Sequence, residues 1–203
     1  MAYGRRVNYL IVSATKPSLL WQLKIKEYDM LQSTNPIAQR SQQWIIESLL
    51  HLMEKKEYDK ISVTEICRMA GLDRRTFYRN FISKNDVLEQ YIKQLQDEYI
   101  QSFSAMDEPC QYTAARVFFE FWSRHLSFIR SMKKSGLIDF AFQRFEKFTK
   151  EHSELLMGDD VRGLPLEYVF AYRIGGFWNV MLTWASQDKV LSPDEMAAIV
   201  IQL

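Results

Sequence analysis

Cationic side chains crowd one short stretch of this chain. Arg68, Arg74, Arg75, Arg79 and Lys84 fall within seventeen residues whose only acid is Asp73. Guanidinium forks at this density suit a duplex: each can pair bidentately with guanine O6 and N7, and a nearby threonine can meet a thymine methyl or a phosphate. Arg74 and Arg75 are placed to enter a groove first, with Thr76 beside them and Arg79 and Asn80 on the flank.

Local signals supply the elements that would hold these groups. Ser62-Val63-Thr64-Glu65 has the spacing of a capping box, so a helix is expected to begin there. It carries Ile66 and Ala70 inward and stops at Gly71, which accepts the left-handed conformation of a helix C-terminus. Asp73 can cap a second helix, in which Phe77 and Phe81 stand four apart and face the core together. Arg74, Arg75, Thr76, Tyr78, Arg79 and Asn80 are left to point outward or sideways. Residues 62–81 thus read as a helix-turn-helix whose second helix is polar and basic, the geometry that lies in the DNA major groove.

The string from Ile61 to Leu88, ISVTEICRMAGLDRRTFYRNFISKNDVL, resembles the DNA-binding head of the tetracycline-repressor (TetR/AcrR) family of bacterial transcription regulators. The matching features are the capped helix with Ile66, Ala70-Gly71-Leu72, Thr76-Phe77-Tyr78, and Phe81 followed by Ser83-Lys84 and Leu88. The resemblance covers about residues 37 to 98. It implies phosphate contacts from Tyr78 and Lys84, with Thr64 contributing from the preceding helix. Asp73 departs mildly from the pattern, in which serine is common; capping is its expected work.

The wider composition agrees with a helical, water-facing protein. Of 203 residues 47% are apolar and 25% charged, and seven Gly with five Pro favour helices over a turn-rich β fold. Net charge is only +1, a balance that suits a sequence-specific binder with a local basic stripe. Cys67 and Cys110 lack metal-type spacing, so reduced thiols and a cytoplasmic setting are expected. Cys67 reads as packing, and Cys110, beside Pro109, as a loop thiol. No apolar run reaches the length of a membrane span.

Residues 1–35 read as an extension outside the fold, with Met30 a natural start and a basic arm touching DNA the functional alternative. The head is expected over 36–98. Its first helix should run from Pro36 to about Lys56 with Trp44, Ile45, Leu49, Leu52 and Met53 inward. A long helix from Ser83 to about Met106 should reach from the head into a second helical domain over 99–203. There a single helix is expected from Gln111 to about Lys134, and another near Leu137–Phe148. The clearest loop spans 158–165.

Two groups of residues in the second domain are candidates for function. Phe170, Ile174, Phe177, Met181 and Trp184 alternate steps of four and three along 166–186, a coiled-coil-like seam. Met196, Ile199 and Val200 follow in a last helix capped by Ser192-Pro193-Asp194-Glu195. Family resemblance implies that these last two helices pair two copies, making these eight residues the expected dimer interface. It also implies an apolar effector pocket, for which Phe118, Trp122, His125, Phe128, Phe145, Tyr168, Tyr172 and Trp178 are the candidates.

No catalytic constellation emerges. His51, His125 and His152 are scattered, and neither Gly-x-Ser-x-Gly nor a phosphate loop occurs, so no enzyme, metal or cofactor is expected. The chain is read as all-α, a three-helix helix-turn-helix head followed by a helical bundle. Its expected role is a homodimeric repressor that leaves a double-stranded DNA operator when an apolar small molecule binds, without contact with a membrane. The rival readings are an activator or coactivator whose second domain binds a protein, and a helical binding module or enzyme with an incidental helix-turn-helix.

Overall fold

Pro36, preset for the first turn of a helix, opens α1 (Pro36–Lys55) in a computed structural model that describes residues 36–106, 110–153 and 165–203. The expected extension over 1–35 and most of the loop at 158–165 lie outside the described residues. Among the described residues there are nine α-helices and no strand. After α1 and a single 3-10 turn (Tyr58–Lys60) come α2 (Val63–Ala70), α3 (Arg74–Asn80) and α4 (Lys84–Ser104). The chain continues through α5 (Gln111–Ser123), α6 (Leu126–Lys134), α7 (Ile138–Glu151), α8 (Leu166–Ala185) and α9 (Pro193–Val200). The architecture is all-α.

Contacts divide the described residues into two units. One takes 36–98 with 127–141, the other 99–126 with 142–203. In the first, Ile45, Ile46, Leu49, Leu52 and Met53 are buried on α1, which packs against α2 and α3. Trp44, expected on that face, is turned outward. The buried stripe follows Ile45 and Ile46 together, which leaves position 44 at its edge. Burial of Phe128, Ile129 and Met132 brings α6 into the same unit, where Phe128 meets Tyr91 edge-on at 4.9 Å. The surrounding burial, and then the charge of Glu98, push the Tyr91 phenol up to about 12.

The helix expected from Gln111 to Lys134 is two helices. At its break the N–H groups of Arg124 and His125 bond three residues back, to Phe121 and Trp122, while the Ser123 hydroxyl takes the Glu120 carbonyl at 2.7 Å. Tightened backbone bonds and a competing serine end the α-helical ladder without any Gly or Pro.

The second unit is built on rings. Phe118 touches Phe119 at 5.2 Å and Phe177 at 5.3 Å, and Phe145 stacks on Trp178 at 5.3 Å. The apolar side of α9 (Met196, Ala197, Val200) packs on α5, and Tyr112 donates to Asp194 at 3.0 Å across that contact. Trp184 Nε1 donates to the Leu191 carbonyl at 2.9 Å and holds the turn between α8 and α9.

Candidate nucleic-acid interface

Each end of the helix-turn-helix is closed by its own sequence. Ser62 Oγ accepts the Glu65 N–H while Glu65 Oε2 accepts the Ser62 N–H at 3.0 Å, the reciprocal box that starts α2. Lys56, at the end of α1, reaches the same carboxylate at 2.5 Å. Its hydrogen bond first, and the Ser62 N–H next, lower the Glu65 carboxyl to about 2. Gly71 has φ 66° where α2 ends, and the Leu72 N–H returns to the Cys67 carbonyl at 2.9 Å. Asp73 Oδ1 then accepts the Thr76 N–H at 2.6 Å to start α3, which holds Asp73 below the usual carboxylate range.

Behind α3, Phe77 and Phe81 are buried with their ring centroids 6.0 Å apart. That anchorage points the other face to solvent. Arg74, Arg75, Tyr78 and Arg79 are exposed, and Thr76 is half-buried. Arg74 lies back along the helix, its Nη2 donating to Tyr78 Oη at 3.4 Å and its guanidinium 5.8 Å from the Tyr78 ring. Among the described residues no side-chain hydrogen bond holds Arg75 or Arg79, and the charge of each helps to lower the Asp73 carboxyl. Thr64, in the first turn of α2, is exposed.

Two sequence candidates are placed differently from these. Asn80 donates its amide to the Thr76 carbonyl at 2.8 Å, so it closes the last turn of α3. Lys84 donates to the carbonyls of Tyr58, Ile61 and Asp59 at 2.7, 3.0 and 3.3 Å. Ile82, which sequence reasoning passed over, follows α3 with 86% of its surface exposed. Its place one residue after Phe81 reads as core, and only the Asp86 carboxylate on its N–H, at 3.0 Å, shows how the chain turns it out.

Residues 45–91, from mid-α1 into α4, match the model of one family, bacterial regulatory proteins of the tetR family. Over these residues the head is similar to that of the tetR family. Solved structures carry the likeness of fold along most of the chain. A TetR transcriptional regulator from Streptococcus agalactiae 2603V superposes with TM-score 0.58 at 14% identity, covering 88% of this chain and 97% of its own. A TetR-family regulator from Syntrophomonas wolfei str. Goettingen gives TM-score 0.60 at 17% identity over 80% and 92%. The dihydroxyacetone kinase operon activator DhaS gives 0.53 at 16% over 79% and 92%. No curated protein matches the chain significantly.

In the second unit Phe118 and Trp178 are buried, while Trp122, His125 and Phe145 are half-buried around them. Phe128 belongs to the other unit, and Tyr168 and Tyr172 are exposed on α8. Of the seam residues, Ile174, Met181, Trp184, Met196 and Val200 are buried inside the protomer, Phe170 and Phe177 half-buried, and Ile199 exposed. Arg173, absent from the sequence candidates, is buried on α8. Its position in the apolar run Phe170–Trp178 was the available signal.

Proposed function

We propose that the chain is a homodimeric transcriptional repressor that holds a pseudo-palindromic operator and releases it when an apolar small molecule enters the second unit. The carrying observation is α3: two buried phenylalanines hold it from behind, and Arg75 and Arg79 are exposed on the outer face. Such a helix reads only a few base pairs, so a two-fold pair is needed to define a site.

The outer face of α8 supports that pairing better than its buried seam. Tyr168, Ala171, Tyr172, Gly176, Asn179 and Thr183 line it at helical spacing. A Cβ added at Gly175 or Gly176 would meet nothing within 4 Å. Glycine inside a helix costs about 1 kcal/mol against alanine, and nothing within the protomer uses the absent methyl. Close approach of a second α8 gives the glycines a purpose. The aromatic group around Phe118, Trp122, Phe145 and Trp178 is the proposed effector site, reached by parting rings that now touch each other. Residues of α4 divide between the two units, so it is one covalent path for a population shift from one to the other.

The test is selection of duplexes from a random pool by the purified protein, followed by screening apolar compounds for release. An enriched inverted repeat and a releasing compound are expected; a pool without enrichment defeats the proposal. A second reading, an activator whose second unit binds a protein, is favoured by the exposed Leu166, Tyr168 and Tyr172 and by the likeness to an operon activator. DNA binding that no compound alters would turn the assignment that way.

A further inference from the structure

Lys84 opens α4, where family resemblance implies a phosphate contact. An ammonium has three donors and no acceptor. The carbonyls of Tyr58, Ile61 and Asp59 take them at 2.7, 3.0 and 3.3 Å, and the Tyr58 ring lies under the charge at 4.4 Å. Those carbonyls lie at the C-terminal end of the 3-10 turn, where the dipole favours a cation; the Tyr58 carbonyl also accepts the Ile61 N–H at 3.0 Å.

The same turn is gripped elsewhere. Tyr58 Oη donates to Asn85 Oδ1 at 2.6 Å, and the Tyr58 N–H donates to Ser135 Oγ at 3.1 Å. Ile61, the last residue of this knot, runs directly into Ser62, the N-cap of α2. The knot therefore sets where the helix-turn-helix begins and in which direction it leaves the core.

We infer that Lys84 is a positioning residue, an internal clasp on the turn that launches α2, and that it takes no DNA phosphate. To reach a phosphate its ammonium has to abandon three carbonyls, of which the Tyr58 one keeps the Ile61 N–H at 3.0 Å. The inference deepens the DNA-binding reading and rests on it, while the clasp itself is present in the free protein. Arg75 and Arg79 contrast with it, since both are exposed and neither has a side-chain hydrogen bond among the described residues.

Two measurements test this on the full chain. The first labels amines of the unaltered protein with and without sonicated DNA. Lys84 should react more slowly than the exposed Lys60 and Lys147 in the absence of DNA and lose no further reactivity when DNA is added. Labelling at the rate of Lys147, with protection only by DNA, overturns the inference. The second compares Lys84→Met and Lys84→Arg in melting temperature and in the salt dependence of binding to the same DNA. Arginine keeps the charge, but its planar fork cannot set one nitrogen on three carbonyls. Both variants should therefore lose melting temperature with the salt slope unchanged. A slope reduced by about 0.9 per head in Lys84→Met, at unchanged melting temperature, overturns it equally. Should Lys84→Met fail to fold, the labelling decides alone. Failure of the unaltered protein to bind DNA defeats the DNA reading, and the labelling rates without DNA then decide whether the clasp exists.

Discussion

On the proposed reading Arg75 has the clearest route to a base edge: its neighbour Arg74 is drawn back onto Tyr78, while Arg75 is exposed and no side-chain hydrogen bond holds it among the described residues. Arg75→Ala should cost about 1–3 kcal/mol of operator affinity and relax the preference at one base position, read by titrating duplexes that differ at that position. Equal losses on every duplex would make Arg75 a backbone contact instead. Glu65 is a second residue-scale case. Its folded pKa of about 2 lies below the ordinary 4.5, so its contribution to stability is complete above the ordinary value. It disappears as pH falls from about 4.5 through about 2. Melting curves of the parent and Glu65→Gln should differ near neutrality and converge across that window; a difference independent of pH would show that the carboxylate charge is not what stabilises the box.

At the scale of elements, the head depends on short helices that could not persist alone, since helices of seven or eight residues are far below the length stable in water. Their ends therefore matter more than their middles. Ser62→Ala removes one half of the capping box and should cost about 1 kcal/mol. Gly71→Ala meets no clash, as nothing lies within 4 Å of the added carbon, but it must hold φ at 66°. That strain should cost about 1–2 kcal/mol. Denaturant unfolding measures both. A neutral Gly71→Ala would mean that the turn relaxes out of the left-handed region.

At the scale of the whole molecule, the stripe on α8 with Tyr168 and Tyr172 is exposed among the described residues. Gly176→Leu should leave a protomer's melting curve nearly unchanged, because its side chain points into open space. It should abolish dimerisation, seen by sedimentation, and with it binding to paired half-sites. Dimers that persist would move the two-fold away from α8. The seam expected at the interface shows how far sequence could go here. Periodicity found an apolar face on α8 and α9, and a buried face of that kind exists, but period alone cannot distinguish a neighbour in the same chain from one in another. The partner turned out to be internal for α9, which lies on α5.

What the chain settles by itself is whatever closes within three or four residues. The Ser62 and Ser192 boxes, the Gly71 stop, the Asp73 cap and the Phe77–Phe81 pair are each read from spacing and each present. Their partners lie along the same turn of backbone, so no other part of the fold is consulted. Tertiary structure decided which cations are free. Lys84 is claimed by carbonyls 23 to 26 residues away, and Tyr58 by a hydroxyl 77 residues away. A lysine's charge is the same in either place, but its remaining hydrogen-bonding capacity depends on what the distant chain brings within about 3 Å.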